Sequence, residues 1–132
     1  METLPLRITP GADLRRALEG SLAAPVVNAA FVISGIGSLR QARLRLAGKA
    51  EPDTIEGCLE ILTLAGSLSG DGAHLHMSVA NAEGKVTGGH VAYGCSVRTT
   101  AEVLLVLLPE WSFTRELDPH TEFLELIVRH KR

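Results

Sequence analysis

The sequence contains few aromatic residues, few cysteines and no long apolar segment. Aromatic residues make up 4% of the chain, so its core must be built from aliphatic side chains. The longest apolar run, residues 103–109, is far shorter than the roughly 20 residues that a membrane-spanning helix needs. The first residues lack the charged and apolar regions of a secretory signal. We therefore expect a soluble, cytoplasmic protein with no membrane partner.

The chain also lacks a positive net charge and a cysteine motif. Its formal net charge is −2 at pH 7, whereas nucleic-acid-binding domains are usually basic because phosphate neutralisation supplies most of their affinity. Cys58 and Cys95 have neither zinc-site nor thioredoxin spacing, which is typical of a reducing compartment. We expect both thiols to be buried as small apolar groups. The sequence contains no nucleophile-elbow pattern, so nothing in it indicates a hydrolase.

At 132 residues the chain is expected to form one domain, residues 1–132. Thr9 and Pro10 fit the N-cap and first position of a helix. Apolar runs and alternating patterns predict strands; these lie at residues 4–9, 26–34, 41–46, 57–68, 73–80, 85–93, 99–108, 111–116 and 122–129. The segment Gly35-Ile36-Gly37 is expected to form the turn that ends the second strand.

The segment 99–108 has two possible interpretations. Thr99 and Glu102 match a helical capping box, but the unbroken hydrophobicity that follows favours a buried strand. With the strand interpretation, the sequence predicts an α/β (α+β) fold: a largely antiparallel β-sheet with one or two flanking helices.

The most informative feature is a pair of strands that carries three histidines. Asn81 and Gly84 occupy the positions that a type I turn followed by a left-handed glycine prefers. This three-residue loop would place His76 directly opposite His90, with His74 on the same face. A four-residue loop would instead turn His90 to the other face, and the turn chemistry favours the first register.

Three imidazoles on one face are a known ligand set for zinc and related divalent transition metals. A polar pocket or subunit contact, and a solvated face, remain alternative interpretations. Glu60 is a candidate second-shell partner or base for the histidines, although the spacing does not place it beside them.

Arg40, Arg43 and Arg45 form the best local basic stripe, and Arg43 and Arg45 share one face of their strand. These arginines are candidate phosphate contacts for nucleic acid. The alternative is a solvated strand whose charges discourage edge pairing.

Several segments resemble the plants-and-prokaryotes conserved (PPC) domain. The central motif is Gly-Ala-His-Leu-His-Met-Ser-Val-Ala-Asn-Ala-Glu-Gly-Lys-Val-Thr-Gly-Gly-His over residues 72–90. Four flanking pieces are also similar to the family, at residues 57–66, 35–39, 99–103 and 114–118.

The resemblance implies a compact α/β domain that assembles as a homotrimer. Plant members of the family carry an AT-hook and act as DNA-binding regulators, but no Arg-Gly-Arg-Pro hook occurs here. His74, His76 and His90 belong to the prokaryotic version of the family. We therefore expect a homotrimeric binding module with at most weak DNA binding. The alternative function is a metal-binding or small-ligand-binding domain, conceivably a metal-dependent enzyme.

Overall fold

The computed structural model describes residues 1–22 and 26–132. Within these residues the chain forms eight strands and one short helix. The elements are β1 (Glu2–Ile8), α1 (Leu14–Glu19), β2 (Ala29–Arg45), β3 (Asp53–Ser69), β4 (Gly72–Ala80), β5 (Val86–Val91), β6 (Ser96–Leu107), β7 (Trp111–Leu117) and β8 (Leu124–His130). The predicted antiparallel sheet is confirmed. In the described part of the chain a single helix accompanies the sheet, so of the one or two predicted helices only one is present there.

The main sheet has six strands in the order β1-β6-β2-β3-β4-β5, all pairs being antiparallel. The end of β2 also pairs with β5, where Leu44 and Arg45 lie opposite Val91 and His90. The sheet therefore bends until β5 meets β2, which leaves β1 as an open edge. This closure encloses a core of aliphatic side chains, and the fully buried ones include Leu39, Leu44, Leu59, Leu68, Leu75, Leu105, Val79, Val91 and Val97.

The predicted turn at Gly35-Ile36-Gly37 was wrong. These residues lie inside β2, which continues as one strand from Ala29 to Arg45. A Cβ on Gly37 would lie 2.6 Å from the Thr100 carbonyl oxygen, and one on Gly35 would lie 2.8 Å from a Leu64 methyl. The glycines therefore permit a close approach of neighbouring chain segments, which is the other common reason for glycine inside a strand.

The helix begins later than the sequence predicted. Asp13, and not Thr9, is the N-cap, since its Oδ1 accepts a hydrogen bond of 3.0 Å from the Arg16 N–H. The other carboxylate oxygen of Asp13 accepts from the Gly94 N–H, which joins the helix to the chain before β6. The helix ends at Gly20, which is its C-cap.

The C-terminal strands β7 and β8 form a separate two-stranded hairpin. It packs on the outside of the main sheet through Phe113, which is buried and meets the Phe31 ring edge-to-face at 5.7 Å. The Arg115 N–H also donates to Asp71, 2.9 Å away. This docking places the hairpin beside β3 and β4, where it forms one wall of the site described below. The strand interpretation of residues 99–108 is confirmed by β6.

Candidate metal centre

The turn between β4 and β5 has the conformation that its residues predicted. The Gly84 N–H donates to the Asn81 carbonyl at 2.9 Å, and Gly84 has a φ of 78°. The Asn81 side-chain oxygen accepts from the N–H groups of Glu83 and Lys85, both at 3.0 Å. Since these bonds close a three-residue loop, the register of the two strands is fixed within the turn itself.

This register places His76 directly opposite His90, as predicted. His74 lies two residues along β4, so its side chain emerges on the same face. Leu75 and Met77 point the other way and are buried in the core. The alternation along β4 therefore separates the imidazoles from the side chains that stabilise the fold.

The three imidazoles form a tight cluster. Their ring centroids are 5.0 Å apart for His74 and His76, 5.2 Å for His74 and His90, and 5.9 Å for His76 and His90. One nitrogen from each ring can be chosen so that all three lie within 4.8 Å of one another. Tetrahedral zinc with bonds of about 2.0–2.1 Å sets its nitrogens about 3.4 Å apart. The donor set therefore fits such an ion after small side-chain rotations.

The surroundings favour the neutral form of two of these imidazoles. Burial lowers the pKa of His74, and the charge of Arg115 lowers it further, while Glu125 acts in the opposite direction. Burial and the charge of Arg45 lower the pKa of His90 to about 4. A neutral imidazole is the form that ligates a metal, so both residues are ready to bind an ion at neutral pH.

Two cavities open onto the cluster. The smaller, about 370 Å³, is lined by His74 and His76, by residues of β3 and by the C-terminal hairpin. The larger, about 1290 Å³, is lined by His74 and His90 together with Arg15, Arg45 and Lys49. His74 lies on both cavities, so the cluster is accessible from either side.

Comparison with known proteins gives the family of the chain. A family model described as the Plants and Prokaryotes Conserved (PCC) domain matches residues 1–109. The chain belongs to this family. The resemblance of the central motif to the PPC domain is thereby confirmed.

Individual relatives of this PPC domain carry different names. The chain is 46% identical over 129 residues to the bifunctional protein GlmU of a Synechococcus strain, but it spans only 20% of that protein while 98% of the chain is covered. The structure of a Salmonella hypothetical protein has a TM-score of 0.94 and 31% identity, covering 99% of this chain and 95% of that one. The chain therefore corresponds to about one fifth of its curated relative.

Two further solved structures share the fold. A metal-containing protein from Archaeoglobus fulgidus has a TM-score of 0.78 and 28% identity, covering 96% of this chain and 94% of that one. A Bacteroides thetaiotaomicron protein named as a candidate DNA-binding protein has a TM-score of 0.81 and 19% identity, covering 98% and 93%. At that identity the second likeness concerns the fold alone.

The predicted partner Glu60 lies apart from the histidines of this PPC domain. Glu60 is exposed and lies opposite Ala80. Ala80 is four residues along β4 from His76, so the backbone positions of Ala80 and His76 are about 13 Å apart at about 3.3 Å per residue. The structure does not bring Glu60 to the cluster, because the register of β3 with β4 places Ala65 and Ser67, and not Glu60, opposite His76 and His74.

The predicted arginine stripe is divided. Arg40 is exposed at the bulge between Leu39 and Gln41, while Arg43 lies with its side-chain carbons beside Gly94. Arg45 lies opposite His90 and lines the larger cavity. Strict alternation would place Arg40 on the face of the buried Ala42 and Leu44, and the bulge leaves it exposed instead.

The two cysteines differ in exposure. Cys95 is fully buried, as predicted, but Cys58 is exposed, so its predicted burial was wrong. Cys58 lies on β3 in the stretch between Glu56 and Leu59 where the register with β2 shifts. Its neighbour Leu59 and the next residue on that face, Ile61, are buried, so strand alternation places Cys58 on the outward face.

Sequence reasoning missed three residues that lie near the cluster: Arg15 from α1, Arg115 from β7 and Glu125 from β8. Their positions depend on how the helix and the hairpin dock on the sheet, and no local pattern signals such docking. No helix in the described part of the chain is long and apolar enough to cross a membrane.

Proposed function

We propose that this PPC domain is a metal-binding module that holds a divalent transition metal, with zinc as the first candidate, through His74, His76 and His90. The observation that carries the proposal is the convergence of one nitrogen from each ring within 4.8 Å. Imidazole ligands suit zinc and its neighbours in the first transition row. Three protein ligands leave a coordination position for water or a small ligand.

Three further observations support this function. Burial and nearby arginines lower the pKa values of His74 and His90. Both imidazoles are then neutral near pH 7, so neither has to release a proton before it binds a metal. A structural relative from Archaeoglobus fulgidus is described as metal-containing. His76 and His90 also sit on a hairpin whose register is set by local turn bonds.

The test is elemental analysis of protein purified without a histidine tag. We expect about one transition metal per chain, and its loss from the His76→Ala and His90→Ala variants with the fold retained. His120→Ala is the matched control, because His120 lies in the exposed turn between β7 and β8. Metal-free protein that takes up no zinc at saturation, or a His90→Ala variant with full metal content, would overturn the proposal.

We also propose that the domain assembles as a homotrimer. The support is a set of exposed apolar side chains on the adjacent strands β2 and β3, namely Phe31, Ile33, Ile36 and Leu62. Exposed apolar surface of this kind marks association sites, and closed symmetric assemblies are the usual way to cover it.

Light scattering tests the assembly. We expect about three times the chain mass of 14.1 kDa, reduced by Ile36→Glu. Val86→Glu is the control. Val86 has the same exposure as Ile36, 54%, but it lies at the start of β5, away from the apolar side chains of β2 and β3. A monomeric wild-type mass contradicts the proposal.

DNA association is the second candidate function, and we propose weak, sequence-insensitive binding at most. The family association and the exposed Arg40 support it, whereas the net charge of −2 opposes it. Fluorescence titration of labelled duplexes in physiological salt tests it. Tight binding to one sequence over scrambled duplexes would show that DNA recognition is the principal function.

A further inference from the structure

Two arginines lie beside His90. Arg45 is directly opposite His90 in the short pairing of β2 with β5, so the two side chains share one face. Arg15 reaches the same place from α1, where its Nη1 donates to the Val91 carbonyl at 3.2 Å. Both arginines line the larger cavity together with His90.

A third arginine approaches His74 from the opposite side. The Arg115 Nη2 donates to the Ser67 hydroxyl at 3.0 Å, and Ser67 is the cross-strand neighbour of His74. Arg115 lines both cavities that open onto the cluster. The histidines therefore lie between cationic groups from three different elements, the helix, β2 and the C-terminal hairpin.

Two of these guanidinium groups have no acidic partner. Among the described residues the ion pairs are Arg15–Glu19, Lys49–Asp53 and Arg129–Glu116, so Arg45 and Arg115 take part in none. Each makes a single side-chain hydrogen bond, from Arg45 to the Lys49 carbonyl and from Arg115 to Ser67. A guanidinium has five N–H donors, so most donors of both groups remain available to a ligand.

The carboxylates around the cavities do not neutralise this arrangement. Asp71 lines the larger cavity but accepts from the Arg115 backbone N–H. Glu122 lines the larger cavity in the exposed turn before β8. Glu125 lines both cavities and is the carboxylate that favours protonation of His74. Glu125 belongs to the same hairpin as Arg115 but forms no ion pair with it among the described residues, so it would weaken anion binding there without neutralising Arg115.

We propose that the cluster and its arginines form one site for a small oxyanion ligand, a carboxylate or a phosphate ester. One oxygen of the anion would bind the proposed metal at the position that His74, His76 and His90 leave free. Arg45 and Arg115 would bind the remaining oxygens of the anion. This inference rests on the proposed metal function. Its basis is chemical: guanidinium groups bind carboxylates and phosphates through paired N–H bonds, and here Arg45 and Arg115 line an open cavity of about 1290 Å³ together with His74 and His90.

The test uses the full chain loaded with cobalt(II), after free metal has been removed, because cobalt absorption changes when an outside ligand enters the coordination sphere. The probes are acetate and methyl phosphate, with uncharged acetamide as the control ligand. We expect at least one of the two anions to change the spectrum saturably and acetamide to have no effect. A response to acetate alone indicates a carboxylate ligand, and a stronger response to methyl phosphate indicates a phosphate ester.

Variants then separate the arginines from the metal. Arg115→Gln and Arg45→Gln should each weaken anion binding by about 10- to 100-fold, the usual loss for a hydrogen bond to a charged group, while cobalt affinity is retained or increased. Arg115→Lys should keep part of the affinity, because the charge remains. Arg40→Gln is the matched control, as Arg40 is exposed on the same strand as Arg45 but lines neither cavity.

The outcomes distinguish this inference from the metal proposal. A protein that never acquires a cobalt spectrum overturns the proposed function and the anion site with it. A cobalt-loaded protein whose spectrum neither anion changes overturns the anion site alone. So does equal loss of anion affinity in Arg40→Gln and Arg45→Gln. Because Arg45 and Arg115 lie on different elements, misfolding of one variant leaves the other as a valid test.

Discussion

Replacing Gly66 by alanine is predicted to damage both the fold and the histidine cluster. Gly66 lies in β3 with a φ of 151°, which side-chain-bearing residues rarely adopt, opposite Leu75 of β4. A Cβ at this position would lie 2.8 Å from the Leu75 Cα and would collide with the His74 carbonyl oxygen. The strand pair must therefore move apart at the residue that carries the first imidazole.

The magnitude follows from two separate costs. A strained φ costs about 1–3 kcal/mol, and forcing an additional carbon into a packed site costs about 1–3 kcal/mol more. Gly57 is the matched control because it lies in the same strand with a φ of 130°, yet a Cβ there would meet no atom within 4 Å. We therefore expect a loss of about 2–6 kcal/mol for Gly66→Ala and only the first cost, about 1–3 kcal/mol, for Gly57→Ala.

Urea unfolding followed by circular dichroism measures these free energies. All proteins are compared at one concentration, because association makes the midpoint concentration-dependent. Zinc affinity is measured in parallel, and we expect it to fall for Gly66→Ala and to be unchanged for Gly57→Ala. Equal destabilisation by the two variants would refute the argument that close approach of β3 and β4 requires glycine at position 66.

Two further predictions concern the same region, and a third concerns DNA binding. Leu75→Ala should cost about 2–5 kcal/mol of stability because Leu75 is fully buried. His76→Ala should abolish metal binding with little change in the urea midpoint. The reverse pattern would mean that His76, and not Leu75, lies in the core. In metal-free protein the pKa of His90 should be about 4, against 6.5 for an ordinary histidine. The stability that neutral His90 allows is therefore complete above pH 6.5, declines as the unfolded chain takes up the proton, and is at its lowest below pH 4. An NMR titration midpoint near 6.5 for His90 would contradict this prediction. DNA affinity, where measurable, should fall steeply with salt, by a slope of about 0.9 in logarithmic units per phosphate contact, and a salt-independent affinity would be inconsistent with backbone contacts.

The parts of the molecule that sequence reasoning predicted are those determined by local bonds. The register of β4 and β5 follows from Asn81 and Gly84, whose turn hydrogen bonds are made within five residues. The alternation of Leu75 and His76 then assigns the faces without reference to the rest of the fold. The cluster geometry was therefore available from the sequence.

The features that were missed depend on distant parts of the chain. Glycine permits both a turn and close strand packing, so Gly35 and Gly37 could not be assigned to the interior of β2 without knowing that Leu64 and Thr100 lie against them. Arg115 is brought to Ser67 across 48 residues. Such contacts arise from docking of whole elements and leave no periodic signal in the sequence.

The C-terminal hairpin divides the site into two parts with different dependence on the rest of the molecule. The histidines belong to the main sheet, within the residues that the family model matches, whereas Arg115 belongs to a hairpin that begins at Trp111, just beyond that match. Among the described residues the hairpin strands pair only with each other, and the Phe113–Phe31 contact and the Arg115 hydrogen bonds help to anchor the hairpin on the sheet. Exchange of this hairpin for another would change the chemistry presented to an incoming ligand while the imidazoles kept their positions. In the proposed anion site, the hairpin would thus determine ligand selectivity separately from the sheet that carries the histidines.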